Sequence, residues 1–293
     1  MSKVQFQVAQ SQTPSPELLS WVISQLQVGC RPDDVLAAMR SSGWQDAVGL
    51  KALEQAHAHR LVNQAVVSAD GLPAAAPVPE PDLKTSPSTL WAGDREVQVL
   101  MSLVLPRVVV FGNFLSHQEC DELVALAQPR MARSETVVHV TGGNEVNEAR
   151  TSDGMFFGRA ELPLCERIEK RIATLVNWPE VNGEGLQVLH YRPGAEYRPH
   201  HDYFDPAQPG TPSIVAVGGQ RVGTVVMYLN TPEQGGGTTF PELGLEVAPI
   251  KGHAVFFSYN RPHPSTRTLH GGAPVLAGEK WVATKWLRER PFE

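Results

Sequence analysis

The sequence predicts an α+β fold in which helices precede a two-sheet jelly roll. Apolar residues recur at helical spacing in several segments up to about residue 176, and short apolar runs divided by Pro, Gly and Asn follow as far as Leu287. Helices followed by a run of strands are typical of α+β domains. Many short strands between turn residues indicate that the strands form a sandwich or jelly roll.

Residues 15–65 predict a small module of three helices. Ser15 is placed to cap the first of them, with Pro at the first helical position, and glycines end the first two. The module suits either of two roles, which are packing on the core domain for stability and docking of a protein partner or substrate. The helices are predicted from Pro16 to Gly29, from Pro32 to Gly43 and from Gln45 to about Val62.

The rest of the chain divides by composition. Residues 1–14 are polar and predict a flexible N-terminus, and residues 66–90 are rich in Pro, Ala and Ser without periodicity, as in a semi-rigid linker. Residues 91–293 are then expected to form the core domain. Because the linker separates two regions that each have an apolar pattern, we expect the helical module to move independently.

Charge and cysteine content exclude several classes of function. The chain of 293 residues has a formal net charge of −6, so it has no basic footprint for nucleic acid. Its three cysteines are far apart and lack metal or redox spacing, which indicates reduced thiols. No apolar run reaches the length of about 18 residues that would span a bilayer. We therefore expect a soluble cytoplasmic protein with neither nucleic acid nor membrane as partner.

Two helices and a strand open the core domain. Residues 108–111 predict a buried strand, and Ser116 is placed to cap the helix that follows it. A second helix is expected from about Leu162 to Val176. Strands then continue to the C-terminus.

The most informative stretch is YRPGAEYRPHHDY, which contains His200 and Asp202. Side chains two residues apart leave the same face of a strand, so these two are expected to converge while His201 points away. His270, from another segment, is the best candidate for a third ligand. Two imidazoles and one carboxylate with an open face are typical of non-haem Fe(II) oxygenases, whereas structural zinc prefers a closed tetrahedron. The alternative is that these are solvated polar residues at strand ends.

Lys280 strengthens the metal interpretation. It follows His270 after a Gly- and Pro-containing turn and stands at the start of an alternating, strand-like run. A lysine inside a barrel-like core is costly unless an anion pairs with it. The distal carboxylate of 2-oxoglutarate is the natural anion beside such a metal, and an exposed charge at a strand start is the alternative.

The run from Pro106 to Arg290 resembles the prolyl 4-hydroxylase family of Fe(II)/2-oxoglutarate dioxygenases. The resemblance implies a double-stranded β-helix, Fe(II) with 2-oxoglutarate and dioxygen as co-substrates, and ascorbate as reductant. It implies His200, Asp202 and His270 as metal ligands and Lys280 as a catalytic and co-substrate residue. The matching segments are PRVVVFGNFLS, ARTSDGMFF, LQVLHYRPGAEYRPHHDYFDP, GGQRVGTVVMYLN, GGGTTFPE, KGHAVFFSYN and LHGGAPVLAGEKWVATKWLRER.

The same resemblance assigns the remaining site residues. It implies that Tyr191 and Thr238 bind the 2-oxoglutarate carboxylate, with Thr224 as a weaker alternative to Thr238. Arg288 stands where some members of the family have histidine, which leaves the orientation of the substrate open. Residues implied around a peptidyl substrate are Arg150, Ser152, Glu184, Tyr197, Arg221 and Trp286.

Three functions follow from these patterns. The first is hydroxylation of a prolyl residue, at C4, in an intracellular protein or peptide, with release of succinate and CO2. The second keeps the chemistry but acts on a free amino acid or small metabolite. The third is a low-turnover binding or oxygen-sensing protein that works through its N-terminal module.

Overall fold

The computed structural model describes residues 14–27, 30–64, 71–133, 135–137, 144–146 and 151–293. The chain divides into two units, Met1–Val67 and Ser68–Glu293. The first unit contains helices α1 (Pro16–Gln27), α2 (Pro32–Ser41) and α3 (Asp46–Gln64). The three predicted N-terminal helices are therefore present, although the predicted end of the first, Gly29, lies outside the described residues.

The helices of the first unit bury a small apolar core. Ser15 accepts a hydrogen bond from the Leu18 backbone N–H at 3.2 Å, as expected of an N-cap. Gly43 has a φ of +86° and turns the chain after α2, a conformation that glycine adopts without strain. The buried core residues are Leu18, Val22, Val35, Met39, Val48, Ala52 and Ala56.

In the residues that the structure describes, the second unit combines strands with three further α-helices. The helices are α4 (His117–Ala127), α5 (Pro163–Leu175) and α6 (Thr211–Ala216). The strands are β1 (Thr89–Trp91), β2 (Glu96–Leu103), β3 (Arg107–Gly112), β4 (Ala132–Arg133), β5 (Glu135–Val137), β6 (Asn144–Val146), β7 (Asp153–Phe157), β8 (Leu186–Tyr191), β9 (Tyr197–His200), β10 (Arg221–Tyr228), β11 (Gln234–Gly235), β12 (Thr238–Phe240), β13 (Leu245–Val247), β14 (Ala254–Ser258), β15 (His270–Gly272), β16 (Val275–Ala277) and β17 (Lys280–Arg288).

Most of these strands belong to two antiparallel sheets. Within the described residues the major sheet has the order β1-β2-β3-β14-β10-β17-β8-β7-β4, and the minor sheet has the order β13-β12-β15-β9. Two short ladders pair β11 with β16 and β5 with β6. Non-consecutive neighbours in both sheets are typical of a jelly roll, so the predicted fold class is confirmed.

The major sheet has a core on each of its faces. On one face, Leu123 of α4 and Ile168 of α5 pack with Phe256 of β14. On the other face, Phe257 of the same strand packs with Phe240 of the minor sheet. The alternation along β14 is the period-2 pattern of a strand buried on both sides. The cleft described below opens on the second face.

The helices predicted in the core domain are present, and one other was missed. Ser116 and Glu119 form a reciprocal capping box at the start of α4. α5 covers the segment expected from Leu162 to Val176. α6, with six residues, is too short to show a helical apolar period. Among the described residues, no helix combines the length and the apolar character that crossing a bilayer would require.

Part of the predicted linker packs on the second unit. Residues 71–88, here called the strap, include Pro79, which is buried, and Glu80, which forms an ion pair with Arg107. A Cβ atom at Gly223 of β10 would lie 2.6 Å from the Pro79 ring, so glycine is what allows the strap to cross this strand. These residues contribute to the second unit, although their composition predicted an extended linker.

Candidate metal and co-substrate site

His200, Asp202 and His270 converge at one point between the sheets. β9 and β15 are neighbours in the minor sheet, and their register places His270 opposite His200. The Nε2 atom of His200 lies 3.4 Å from Asp202 Oδ1, and that of His270 lies 3.5 Å from Asp202 Oδ2. One ligand atom from each residue lies within 4.8 Å of the other two, which suits a single bound ion.

Backbone carbonyls fix the orientation of both imidazoles. His200 Nδ1 lies 2.9 Å from the Arg198 carbonyl oxygen, and His270 Nδ1 lies 2.9 Å from the Thr268 carbonyl oxygen. A carbonyl can only accept, so each Nδ1 carries the proton and donates it. The Nε2 lone pairs are left to face the cluster, which is how metal-binding histidines are commonly held.

The electrostatics favour a neutral histidine beside an ionised carboxylate. Burial lowers the pKa of His270 to about 4. Burial alone would raise the pKa of Asp202, but the neighbouring His270 and His200 and the more distant Arg221 outweigh it and hold that pKa below its usual value. At neutral pH the cluster therefore offers imidazole nitrogen and carboxylate oxygen, the donor set that divalent metals require.

The position of Asp202 differs in one respect from the expectation. β9 ends at His200, and Asp202 lies in the bend that follows, so strand alternation alone does not align the two side chains. Thr224 of β10 donates a hydrogen bond to Asp202 Oδ2 at 2.7 Å and draws the carboxylate inward. His201 stacks on Tyr203 with ring centroids 4.7 Å apart and is outside the cluster, in line with its expected opposite direction.

Lys280 lies in the same cleft as the cluster. It opens β17 and pairs in register with Tyr191 of β8, and both side chains line the cleft. The Lys280 side chain is buried, and its Nζ lies 5.4 Å from the Tyr191 ring centroid but has no hydrogen bond or ion pair with any residue that the structure describes. Burial lowers the pKa of Lys280 to about 8. An unpaired buried ammonium is expensive, so this residue is suited to an anionic ligand.

Thr238 and Gly272 complete the part of the cleft beside Lys280. Thr238 accepts a hydrogen bond from the Tyr228 hydroxyl at 2.8 Å and is buried. A Cβ atom at Gly272 would lie 3.7 Å from both Lys280 Nζ and Tyr197 Cβ, so the missing side chain leaves this space open. The residues present thus fit a small dicarboxylate between the lysine and the metal-ligand cluster.

Three of the residues expected at a substrate site form one group beside the cleft. Arg221 donates to both carboxylate oxygens of Glu184, at 2.7 and 2.8 Å. Its guanidinium carbon lies 3.9 Å from the centroid of the Trp286 ring, and Trp286 lines the cleft. Arg288 approaches the same carboxylate to 3.2 Å. Arg221, held by Glu184, packs the indole against one wall of the cleft, and Arg288 adds a second positive charge beside the glutamate.

The other expected substrate residues are less closely grouped. Tyr197 lines the cleft and stacks on His200, with ring centroids 3.7 Å apart. Ser152 is buried and directly precedes β7. Arg150 lies outside the described residues, so the structure does not place it.

Three functional contacts were not predicted from the sequence. Thr224 was considered only for co-substrate binding, whereas the structure places it on the Asp202 carboxylate. The Tyr259 hydroxyl lies 3.0 Å from Thr224 Oγ1, and the Tyr228 hydroxyl bonds Thr238. These residues lie in apolar strand runs, where spacing gives no signal that a hydroxyl faces a site.

Comparisons with known proteins agree with this geometry. Residues 186–288 match the model of the 2OG-Fe(II) oxygenase superfamily, a range that contains the cluster and Lys280. Prolyl 4-hydroxylase 5 of Arabidopsis thaliana is 42% identical over an alignment of 223 residues that covers 69% of this chain and 74% of the relative. Probable prolyl 4-hydroxylase 8 of the same plant is 41% identical, covering 68% of this chain and 74% of the relative.

A solved structure gives a further match. The viral collagen prolyl hydroxylase of Paramecium bursaria Chlorella virus-1, in its 2OG complex, aligns with a TM-score of 0.49 and 30% sequence identity, covering 62% of this chain and 95% of that one. The sequence matches to the plant enzymes and the family model settle the family. This chain belongs to the prolyl 4-hydroxylase family and is a 2-oxoglutarate-dependent dioxygenase of the 2OG-Fe(II) oxygenase superfamily.

Proposed function

We propose that the protein hydroxylates C4 of prolyl residues in an intracellular protein or peptide. The observation that carries the proposal is the convergence of His200, Asp202 and His270 in one cleft with Lys280, a buried lysine that forms no hydrogen bond or ion pair with any described residue. The relatives of about 40% identity are named prolyl 4-hydroxylases, which supports proline as the target.

The two histidines and the aspartate are the residues that would hold Fe(II). Three protein ligands leave the remaining coordination positions for co-substrates, as in other sites with two histidines and a carboxylate. Lys280 pairs with the distal carboxylate of 2-oxoglutarate, and the hydroxyls of Tyr191 and Thr238 hydrogen-bond to the same group. The buried position of Lys280 strengthens this ion pair because it is screened little by water.

When bound, Fe(II) supplies the oxidative chemistry, in which 2-oxoglutarate, dioxygen and a substrate C–H yield succinate, CO2 and a C–OH. One oxygen atom of dioxygen enters succinate and the other enters the hydroxyl group. Ascorbate serves as the reductant that keeps the iron in its Fe(II) state. The residues of the chain position one carbon of the substrate and exclude water from the cleft.

The substrate peptide lies along the wall formed by Trp286, Arg221 and Glu184. The indole packs on the pyrrolidine ring, as aromatic side chains do with apolar ligands, and the Glu184–Arg221 pair holds the indole in place. Tyr197 closes the side next to His200. Ser152 and Arg150 also bind the peptide.

The cellular setting is part of the proposal. Buried Cys120 and Cys165 and exposed Cys30 are all free thiols, which supports a reducing, cytoplasmic location. The N-terminal module docks a protein partner or the substrate. Exposed Trp21 and Leu50 give it apolar surface for this role.

A mass-spectrometric assay tests the proposal. The full chain is incubated with Fe(II), ascorbate and 2-oxoglutarate and with a proline-containing peptide, a matched peptide in which alanine replaces proline, or free proline. We expect the mass of one oxygen atom to be added to proline in the peptide, with one succinate formed per hydroxylation. Two results would contradict peptidyl proline as the substrate. One is oxidation of free proline alone, and the other is no oxidation of any peptide in a set of proline-rich sequences.

A further inference from the structure

Two buried hydroxyl groups stand behind the Asp202 carboxylate. Thr224 Oγ1 lies 2.7 Å from Asp202 Oδ2, and the Tyr259 hydroxyl lies 3.0 Å from Thr224 Oγ1. Thr224 is completely buried and Tyr259 is 2% exposed. The proposed function assigns no step to either hydroxyl, so this arrangement needs its own explanation.

The direction of the hydrogen bonds follows from the charge at one end. An ionised carboxylate can only accept, so the single proton of the Thr224 hydroxyl is donated to Asp202. The Thr224 oxygen is then left as an acceptor towards Tyr259, and the Tyr259 hydroxyl must be the donor. The chain therefore runs one way, from Tyr259 to Thr224 to Asp202.

This arrangement makes the two carboxylate oxygens of Asp202 unequal. Both oxygens face a ligand histidine, Oδ1 with His200 Nε2 at 3.4 Å and Oδ2 with His270 Nε2 at 3.5 Å, but Oδ2 alone also receives the Thr224 proton. A charge-assisted hydrogen bond in a buried site is strong and directional, and it opposes rotation of the carboxylate. The oxygen without the threonine proton is the more basic one and the better metal ligand.

We propose that Thr224 and Tyr259 are positioning residues that hold Asp202 so that it binds Fe(II) through Oδ1 alone. Ligation by one oxygen keeps three coordination positions for 2-oxoglutarate and dioxygen, whereas ligation by both oxygens would occupy one of them. Tyr259 acts through Thr224, because its hydroxyl fixes the direction of the threonine hydroxyl.

The inference rests on the proposed iron site. Fe(II) titration of metal-free protein under anaerobic conditions distinguishes a failure of the inference from a failure of the proposed site. Failure of the unaltered protein to bind Fe(II) would overturn both. In a protein that does bind, we expect Thr224→Val to weaken Fe(II) binding by about 10–100-fold, the usual effect of removing a group that orients a metal ligand. Thr224→Ser keeps the hydroxyl and should bind Fe(II) close to the unaltered protein.

Tyr259→Phe tests the direction of the chain. This variant keeps the ring and should weaken Fe(II) binding by less than Thr224→Val does. The double variant should be no weaker than Thr224→Val alone, because Tyr259 acts only through Thr224. The absorption band of the Fe(II)–2-oxoglutarate complex should also shift in Thr224→Val but not in Thr224→Ser.

Other results would contradict the inference. Unchanged Fe(II) affinity in Thr224→Val, equal losses in the valine and serine variants, or additive losses in the double variant would each overturn it. The melting temperature of each metal-free variant shows whether it is folded. If Thr224→Val does not fold, Tyr259→Phe decides, and Fe(II) affinity equal to that of the unaltered protein would then overturn the inference.

Discussion

Lys280 and Tyr191 face each other across strands β17 and β8, with the Lys280 Nζ 5.4 Å from the centre of the tyrosine ring. Both side chains are buried, and both line the cleft that contains the cluster of His200, Asp202 and His270. An ammonium and a hydroxyl in the same cleft as a metal-ligand cluster are the groups that the proposed 2-oxoglutarate site requires. In the proposed function, the register of β17 and β8 therefore positions the two residues that anchor the co-substrate.

Replacing Lys280 with Met should raise the concentration of 2-oxoglutarate needed for half-maximal turnover. Truncating one partner of a buried charge pair costs about 2–5 kcal/mol, which corresponds to about 30-fold or more. Fe(II) binding should stay close to normal because the ligand cluster is intact. Steady-state assays of succinate formation give the change, with Lys251→Met as a surface-lysine control. An unchanged requirement for 2-oxoglutarate would place the anchor elsewhere, with Arg221 and Arg288 as the next candidates.

The affinity for 2-oxoglutarate should depend on pH above about 8. Burial lowers the pKa of Lys280 to about 8, so in the free protein the ammonium is present below this pH and is lost as the pH rises through it. A carboxylate binds the protonated form, so the apparent affinity should be constant below about pH 8 and fall about tenfold per pH unit above it.

The control for the pH effect is Lys280→Arg. Arginine stays charged throughout this range. The half-saturating 2-oxoglutarate concentration of this variant should therefore not change with pH, whereas that of the unaltered protein should rise above about pH 8. The measurement is the half-saturating 2-oxoglutarate concentration between about pH 6.5 and about pH 9.5. The same rise in both proteins would mean that another group titrates.

Lys285, on the same strand, should have a structural role. It forms an ion pair with Glu169 at 2.5 Å, and both side chains are 2% exposed. Lys285→Met would leave the glutamate buried without its partner, which should lower the free energy of unfolding by about 3–5 kcal/mol. Adding Glu169→Gln should recover much of the loss, because the amide oxygen can still accept from the Ala160 backbone N–H. A change in the 2-oxoglutarate requirement without a loss of stability would contradict this role.

Strong local patterns predicted much of the fold and the site. The helices near Pro16, Pro32, Ser116 and Pro163 have caps or prolines at their starts, and their apolar spacing is regular. The grouping of His200, Asp202 and His270 could be anticipated because the chemistry of the three residue types is distinctive. The helix starts depend on residues that are close in sequence, and the metal-ligand cluster depends on residue types with distinctive chemistry.

Contacts over long sequence separations could not be predicted in this way. Thr224 reaches Asp202 from a strand 22 residues away, within a run that reads only as apolar core. The strap has the composition of a linker, but it packs because Gly223 leaves room for Pro79. In both cases the contact depends on which segment of the chain lies next to the residue in the folded protein. Local composition gives no information about that neighbour.

The strap determines where the chain can be shortened. A chain beginning at Ser68 keeps Pro79 on Gly223 and the ion pair between Glu80 and Arg107, whereas a chain beginning at Ser88 loses all of these contacts. We expect the shorter chain to melt at a lower temperature, by about 2–4 °C for each kcal/mol lost. Equal melting temperatures would show that the strap adds no stability.

The chain beginning at Ser68 also tests the docking role of the N-terminal module. We expect it to decarboxylate 2-oxoglutarate without substrate at the normal rate but to lose efficiency on a large protein substrate, since a tethered docking site raises local concentration. Short peptides should be hydroxylated as before. A parallel loss of stability, uncoupled turnover and coupled turnover would instead mean that the module is structural.

The most direct test of the iron site is anaerobic Fe(II) binding by four single variants. His200→Ala, Asp202→Ala and His270→Ala each remove one ligand and should abolish stoichiometric Fe(II) binding and succinate formation together. His201→Ala, the neighbouring histidine outside the cluster, should bind Fe(II) as the unaltered protein does. Retention of Fe(II) by any of the three ligand variants, or an equal loss in the His201 variant, would contradict the assignment.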